Sequence, residues 1–375
     1  MIRSIRPLLL VGLAALALPV CSGSLAGGGQ ARSTAGAQAP VFPGATWDRF
    51  ATPQAAGYSA SRLDSARAYL ATISTTGALV TVGGRVLLDY GNVSELSYLA
   101  SARKSVLAML YGNYVERGRI RLNRTLADLG VDDLGGLTAA EKEATVADLL
   151  GARSGVYHAA SNPGDNLAQA PPRGSQPHGT YYLYSNWDFN ALGTIFEQET
   201  GRKIYDALES DLARPIGMED FDRAAQQRSG DTTRSIHLAY HMWLSTRDMA
   251  RLGYLMLRGG RWQGAQVIPG DWVRRITTPV TRWNEMHPES LRGGKFGYGY
   301  LWWVFDGPTA IGAYEGAYTA MGAVGQYITV LPKLGMVVAH KTKPGDGRGV
   351  NAAQYLAFLD RLIAARCSAS PAPTC

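Results

Sequence analysis

Ser101 and Lys104 stand three residues apart in Ser101-Ala102-Arg103-Lys104, the one Ser-x-x-Lys of the chain. Residues three apart on a helix share a face, and SARKSVLAMLYGNYVERG, from Ser101 to about Gly118, carries a helical pattern. Ser101 would then occupy the first turn, where free N–H groups and the helix dipole favour an alkoxide and, after attack, an oxyanion. A buried lysine amine loses basicity by desolvation and can take the serine proton. That is the chemistry of acyl transfer. A capping serine followed by a solvated lysine would give the same four residues, so the tetrapeptide needs company.

Tyr-x-Asn is a second possible element, because its phenol could pass a proton between Lys104, Ser101 and a leaving group. Three such triplets occur: Tyr90-Gly91-Asn92, Tyr111-Gly112-Asn113 and Tyr184-Ser185-Asn186. Spacing does not choose among them. The third precedes the helical run WDFNALGTIFEQETG, which would put Tyr184 and Asn186 at a helix entrance facing a cleft; a capping and packing loop is the plainer alternative.

Other chemistries lack their motifs. There is no Gly-x-Ser-x-Gly elbow, no glycine-rich phosphate loop ending in Lys-Ser/Thr and no His-Glu-x-x-His. His237 and His241, four apart, suit one helix face but have no third partner at a suggestive spacing, so ordinary surface or capping histidines are expected, with no metal and no cofactor. Arg103 is expected to be a solvated helix residue. The aromatics Trp187 and Tyr298 to Trp303 either wall an acyl pocket or belong to the core.

The elements that must hold these residues follow from periodicity. SASRLDSARAYLATI has helical spacing, and ALVTVGG and RVLLDYG are two strand-like runs joined at Gly83-Gly84, a hairpin signal. Residues 119–245 are mostly helical patterning broken by Pro and Gly, and Trp243 to Gly259 is helical again. FGYGYLWWVF, GQYITVLP and LGMVVAHK read as strands, and NAAQYLAFLDRLIAAR as an amphipathic closing helix. The two ends thus supply a sheet flanked by helices, an α/β part at about 47–118 and 246–366, and the middle supplies a helical lobe at about 119–245.

Composition bounds the partners. With 46% hydrophobic and 18% charged residues in 375, the chain has material for a sizeable core, and its formal charge of +7 is spread without a basic run, which argues against nucleic acid. Arg3 and Arg6, an apolar stretch from about Leu8 to Val20 and small residues after it have the form of a secretory signal, too short for a membrane span. Residues 1–26 are expected to be that signal, with cleavage after Ala26, and 27–46 a flexible linker, placing the mature chain in the periplasm or outside the cell. A lipid anchor at Cys21 is the alternative, though Leu18-Pro19-Val20 lacks the small residue usual before such a cysteine. Cys367 and Cys375 in the tail either close a small ring or remain free thiols.

On these runs, in this order, the chain from about Trp47 to Arg366 resembles the penicillin-recognising serine hydrolases: class C β-lactamases, related carboxylesterases, D-aminopeptidases and nylon-oligomer hydrolases. The matching stretches are ALVTVGGRVLLDYG, ASARKSVLAMLYG, ATVADLLGARSGV, YLYSNWDFNALGTIFEQETG, LARPIGMED, LSTRDMARLGYLML, FGYGYLWWV and GQYITVLPKLGMVVAHK. The resemblance implies a β-lactamase/transpeptidase-like fold, an antiparallel sheet flanked by helices with a helical lobe inserted. It implies acylation of Ser101, Lys104 as its base partner, Tyr184 in proton transfer and Asn186 as a substrate or lysine contact. The family's Lys/His-Thr-Gly element falls here on Ala320-Met321-Gly322, with Ala323 supplying the oxyanion N–H beside that of Ser101. Lys341-Thr342-Lys343 comes one strand too late. Without the basic residue and the hydroxyl, no carboxylate anchor stands at these positions, so a small ester or neutral amide is the expected substrate. A D-amino-acid peptidase or β-lactamase-type enzyme, and a non-catalytic ligand-binding module on the same fold, are the alternatives.

Overall fold

The computed structural model describes residues 40–345 and 347–367 together with Cys375. The expected signal, its cleavage site, Cys21, the linker as far as residue 39 and tail residues 368–374 lie outside the described residues.

The hairpin expected at Gly83-Gly84 forms from β1 (Gly77–Val82) and β2 (Arg85–Gly91). Its partners come from the other end of the chain: β3 (Phe296–Tyr298), β4 (Trp303–Phe305), β5 (Tyr318–Gly322), β6 (Gln326–Leu331) and β7 (Met336–Lys341). They make one seven-stranded antiparallel sheet in the order β2-β1-β7-β6-β5-β4-β3. The β1–β7 register, Val80 opposite Val338 and Leu79 opposite Ala339, closes the chain's two ends on each other.

Both faces of the sheet are covered, so its central strands read as continuous apolar runs rather than alternating ones. On β7, Met336 and Val338 face one core with Val80, Leu88 and Phe358, whereas Val337 and Ala339 face the other with Leu79 and Ile328. Helices α1 (Ala60–Thr72) and α5 (Ala352–Ala364) pack together on the first face. On the second lie α4 (Thr246–Leu257), against β1, β6 and β7, and α2 (Ala102–Glu116), against β5.

Three short helices between α2 and α3 (Asn186–Thr200) each start at a threonine capping box, Thr125 with Asp128, Thr138 with Glu141 and Thr145 with Asp148. This middle region is less helical than its pattern suggests. Gln227–Ser229 pairs with Ala239–His241, and Trp243–Leu244 pairs with Ser97–Tyr98. The helix expected from Trp243 therefore starts at Thr246, after Ser245 accepts the Asp248 N–H as its cap.

Helix α2 lies between the sheet and this middle region, so every residue from Ala102 to Gly112 is buried. A helix enclosed on all sides has no solvent face. Arg103 is consequently only 1% exposed, which corrects the expectation of a solvated side chain. Cys367 and Cys375 are joined in a disulfide, their Cα atoms 4.8 Å apart.

Candidate active site

The chain enters α2 through a left-handed residue that is not glycine: Ala100 has φ 48°. Such a conformation is costly for a residue with a Cβ and persists where its surroundings hold it. Here the Ala100 carbonyl accepts from Arg103 Nη1 at 3.0 Å. Ser101 follows at the N-cap with a helical backbone, and its hydroxyl makes no capping bond. It is left free for another partner.

That partner is Lys104. Its Nζ lies within hydrogen-bond distance of Ser101 Oγ at 3.0 Å, Tyr184 Oη at 2.7 Å and Asn186 Oδ1 at 2.6 Å. It also lies over the rings of Tyr184 and Phe189, at 4.3 and 4.5 Å. Lys104 is 1% exposed. Burial pushes its ammonium well below the ordinary lysine range, the Arg103 guanidinium pushes the same way, and Asp165 opposes them. Burial raises the Tyr184 phenol to about 12, while the Ser101 hydroxyl and Arg103 pull the other way. The environment thus favours a neutral amine beside a neutral phenol.

Tyr184 and Asn186 are held by a loop that sequence spacing did not connect to them. Asp165 Oδ2 accepts the Asn186 N–H at 3.0 Å, Asn166 N–H donates to the Tyr184 carbonyl at 3.0 Å, and Asn186 Nδ2 donates to the Pro163 carbonyl at 2.9 Å. Asn162-Pro163-Gly164-Asp165 reads as turn chemistry, but nothing in it names a partner some twenty residues on. The other two triplets go elsewhere. Tyr111 donates to the Leu192 carbonyl and Asn113 to that of Val267, while Tyr90 closes β2 at the sheet's far edge.

Gly322 ends β5 against the entrance of α2, where a Cβ would lie 2.3 Å from the Leu99 carbonyl and 3.1 Å from the Ala102 nitrogen. Ala323 begins the exposed turn into β6. Ala320 is fully buried on the core side, and Met321 is half-buried on the other. Lys341 Nζ instead meets the Glu95 carbonyl, and Lys343 Nζ the Glu95 carboxylate at 2.6 Å.

Trp187, Tyr298 and Trp302 are buried core residues, with Trp187 Nε1 donating to Asp133 at 2.7 Å. Trp303 is half-buried and stacks on Tyr184 at 5.7 Å between centroids. The half-buried pair Tyr98 and Trp243, 5.4 Å apart, lies on the two-residue ladder three residues ahead of Ser101. His237 and His241 do not share a helix face. His237 meets Thr194 and the Asp132 carbonyl, and His241 meets the Tyr98 hydroxyl at 2.9 Å.

Residues 64–359 match the model of the β-lactamase family. The chain belongs to that family and is a serine hydrolase of its fold. A candidate 6-aminohexanoate-dimer hydrolase of Bacillus anthracis superposes with a TM-score of 0.60 at 19% identity, over 79% of this chain and 80% of that one. A family VIII carboxylesterase superposes with a TM-score of 0.59 at 15% identity, over 81% and 97%. An uncharacterised protein of Alkalihalophilus pseudofirmus is 32% identical over 126 residues, 31% of this chain and 34% of that one. The match spans about a third of that relative's length. No helix among the described residues is long and apolar enough to cross a membrane.

Proposed function

We propose that this chain hydrolyses small esters or neutral amides through an acyl-Ser101 intermediate, acting outside the cytoplasm. The observation that carries the proposal is the buried Lys104 amine touching Ser101, Tyr184 and Asn186 at once. Neutral Lys104 takes the Ser101 proton as Oγ attacks the substrate carbonyl. The oxyanion is received by the N–H groups of Ser101 and Ala323. Tyr184 relays the proton from Lys104 to the departing alcohol or amine, the C–O or C–N bond breaks, and the acyl group stays on Ser101. Water, losing its proton to the same pair, then attacks the acyl carbonyl and frees the acid.

The substrate class is argued from Ala320 and Met321, whose side chains cannot pair with a carboxylate, and from the half-buried aromatics Tyr184, joined to Ser101 through Lys104, and Trp303, stacked on Tyr184. The names of the carboxylesterase and the candidate 6-aminohexanoate-dimer hydrolase among the structural relatives support ester and amide bonds as the bond types cleaved. Export is supported by the signal-like residues 1–26 and by the Cys367–Cys375 disulfide, which persists in oxidising compartments. The test is intact mass spectrometry after exposure to esters, amides and penicillins. An acyl adduct on Ser101 with turnover of an ester or neutral amide is expected; adducts from penicillins alone, or none on Ser101, would overturn the proposal.

A further inference from the structure

Arg103 is a buried guanidinium without a counter-ion. Its Nη1 reaches the Ala100 carbonyl and its Cζ lies 5.2 Å over the Tyr240 ring, but Nε and Nη2 meet no hydrogen-bond partner among the described residues. Burying an unpaired charge is expensive. An arginine cannot escape that cost by losing its proton, because the guanidinium stays charged at any pH a protein tolerates. The neighbouring lysine can.

The groups around the pair leave little negative charge for two cations. From α3 and the residues leading into it, Lys104 meets the Asn186 amide and the neutral Tyr184 phenol, and burial holds Asp188 on that helix well above the carboxylate range. From the 162–167 loop, Asp165 supplies one carboxylate. Toward Arg103, burial keeps Tyr205 and Tyr240 as neutral phenols and pushes His241 down to about 4, so that its imidazole is neutral. Arg228 has its own carboxylate, Glu197 at 3.4 Å. With Lys104 neutral, Arg103 and Asp165 balance. A proton on Lys104 would leave one positive charge uncompensated among buried side chains.

We infer that Arg103 is a positioning residue for the proton: a buried guanidinium with no ion-pair partner among the described residues, next to Lys104 on the helix, that adds to burial in keeping the amine in the form able to accept the proton of Ser101. The inference rests on the reading of Lys104 as the base, and it deepens that reading by naming a charge that, beside burial, holds the base ready. A surface lysine in the same Ser-x-x-Lys would be charged and inert.

The experiment titrates Lys104 directly, with no turnover required. The chain has seven lysines, so protein labelled with ¹³C at lysine gives few signals, and the one missing in Lys104→Met identifies residue 104. Arg103→Met removes the charge; Arg103→Gln removes it while keeping a donor for the Ala100 carbonyl. In both, the Lys104 titration should move up by at least one pH unit. On the best ester, the rising limb of kcat/KM should move up with it. Folded variants in which Lys104 titrates within 0.3 unit of wild type would overturn the inference, as would a uniform loss of rate with the limb unmoved. Should the variants not fold, a wild-type Lys104 titrating at or above ~10.4 overturns it as well. Failure to hydrolyse any ester would count against the proposed function and leave the titration readable.

Discussion

The Leu99 carbonyl occupies the place a side chain at Gly322 would need: a Cβ built there lies 2.3 Å from it. The end of β5 and the start of α2 are therefore in backbone contact, which brings the turn at Ala323 to the Ser101 end of the helix. Gly322→Ala should push the strand off the helix. Overpacking of this kind costs ~1–3 kcal/mol, and a displaced oxyanion donor ~10²–10³-fold in kcat. Thermal melting and ester kinetics on one preparation check both; a variant with wild-type kcat would show that the contact does not position the donor.

Ser101→Ala should abolish turnover and leave the melting temperature within a degree or two of wild type. An N-cap hydroxyl is ordinarily worth ~1 kcal/mol, but that of Ser101 caps nothing and its loss leaves only Lys104 one hydrogen-bond partner short. Retention of more than a tenth of wild-type turnover would remove Ser101 from the role of nucleophile.

Lys104 links rate and stability to pH with one sign. Its folded-state value is depressed, so between that value and the unfolded ~10.4 the unfolded chain binds a proton the folded chain does not. Stability should therefore rise with pH across that window, and the rate should rise as the amine is freed. Lys104→Met should lose activity and also lose this part of the pH dependence. The check is the melting-temperature difference between wild type and variant from pH 6 to 10, which should grow with pH. A constant difference would mean that Lys104 is protonated in the folded protein.

What sequence made legible here was local. Ser101 and Lys104 share a face because the helical repeat says so, and the Gly83-Gly84 hairpin follows from its flanking runs. Tyr184 could be separated from Tyr90 and Tyr111 only by the family resemblance, since its meeting with Lys104 is a tertiary contact across eighty residues. Arg103 was misread for a related reason. Charge in a helix ordinarily marks the solvent face, but from Ala102 to Gly112 α2 has none, and that enclosure depends on elements distant in the chain. The loop around Asp165 gave no sign, because its turn residues describe its own shape and not what it holds.

Asp165→Asn should act opposite to the Arg103 variants. It keeps an acceptor for the Asn186 N–H while removing the carboxylate that favours charge on Lys104. The rising limb of kcat/KM should therefore shift to lower pH, with the maximum rate little changed. A shift to higher pH would mean that the loop acts by holding Tyr184 and Asn186 rather than through its charge.

Wild-type enzyme should prefer nitrophenyl acetate or butyrate to a chromogenic cephalosporin by roughly tenfold to over a hundredfold in kcat/KM, the ~1.5–3 kcal/mol of a charge-assisted hydrogen bond that Ala320 and Met321 cannot make. Ala320→Lys should not repair the deficit. Ala320 is fully buried on the face of β5 that meets α2, so an ammonium there would be buried in the apolar core against that helix. The substitution is expected to lower the melting temperature and the esterase rate together, with no gain on the cephalosporin. Equal efficiency of the wild type on both substrates would refute the missing-anchor argument. A cephalosporinase gain in folded Ala320→Lys would show instead that the anchor was absent but its place was open.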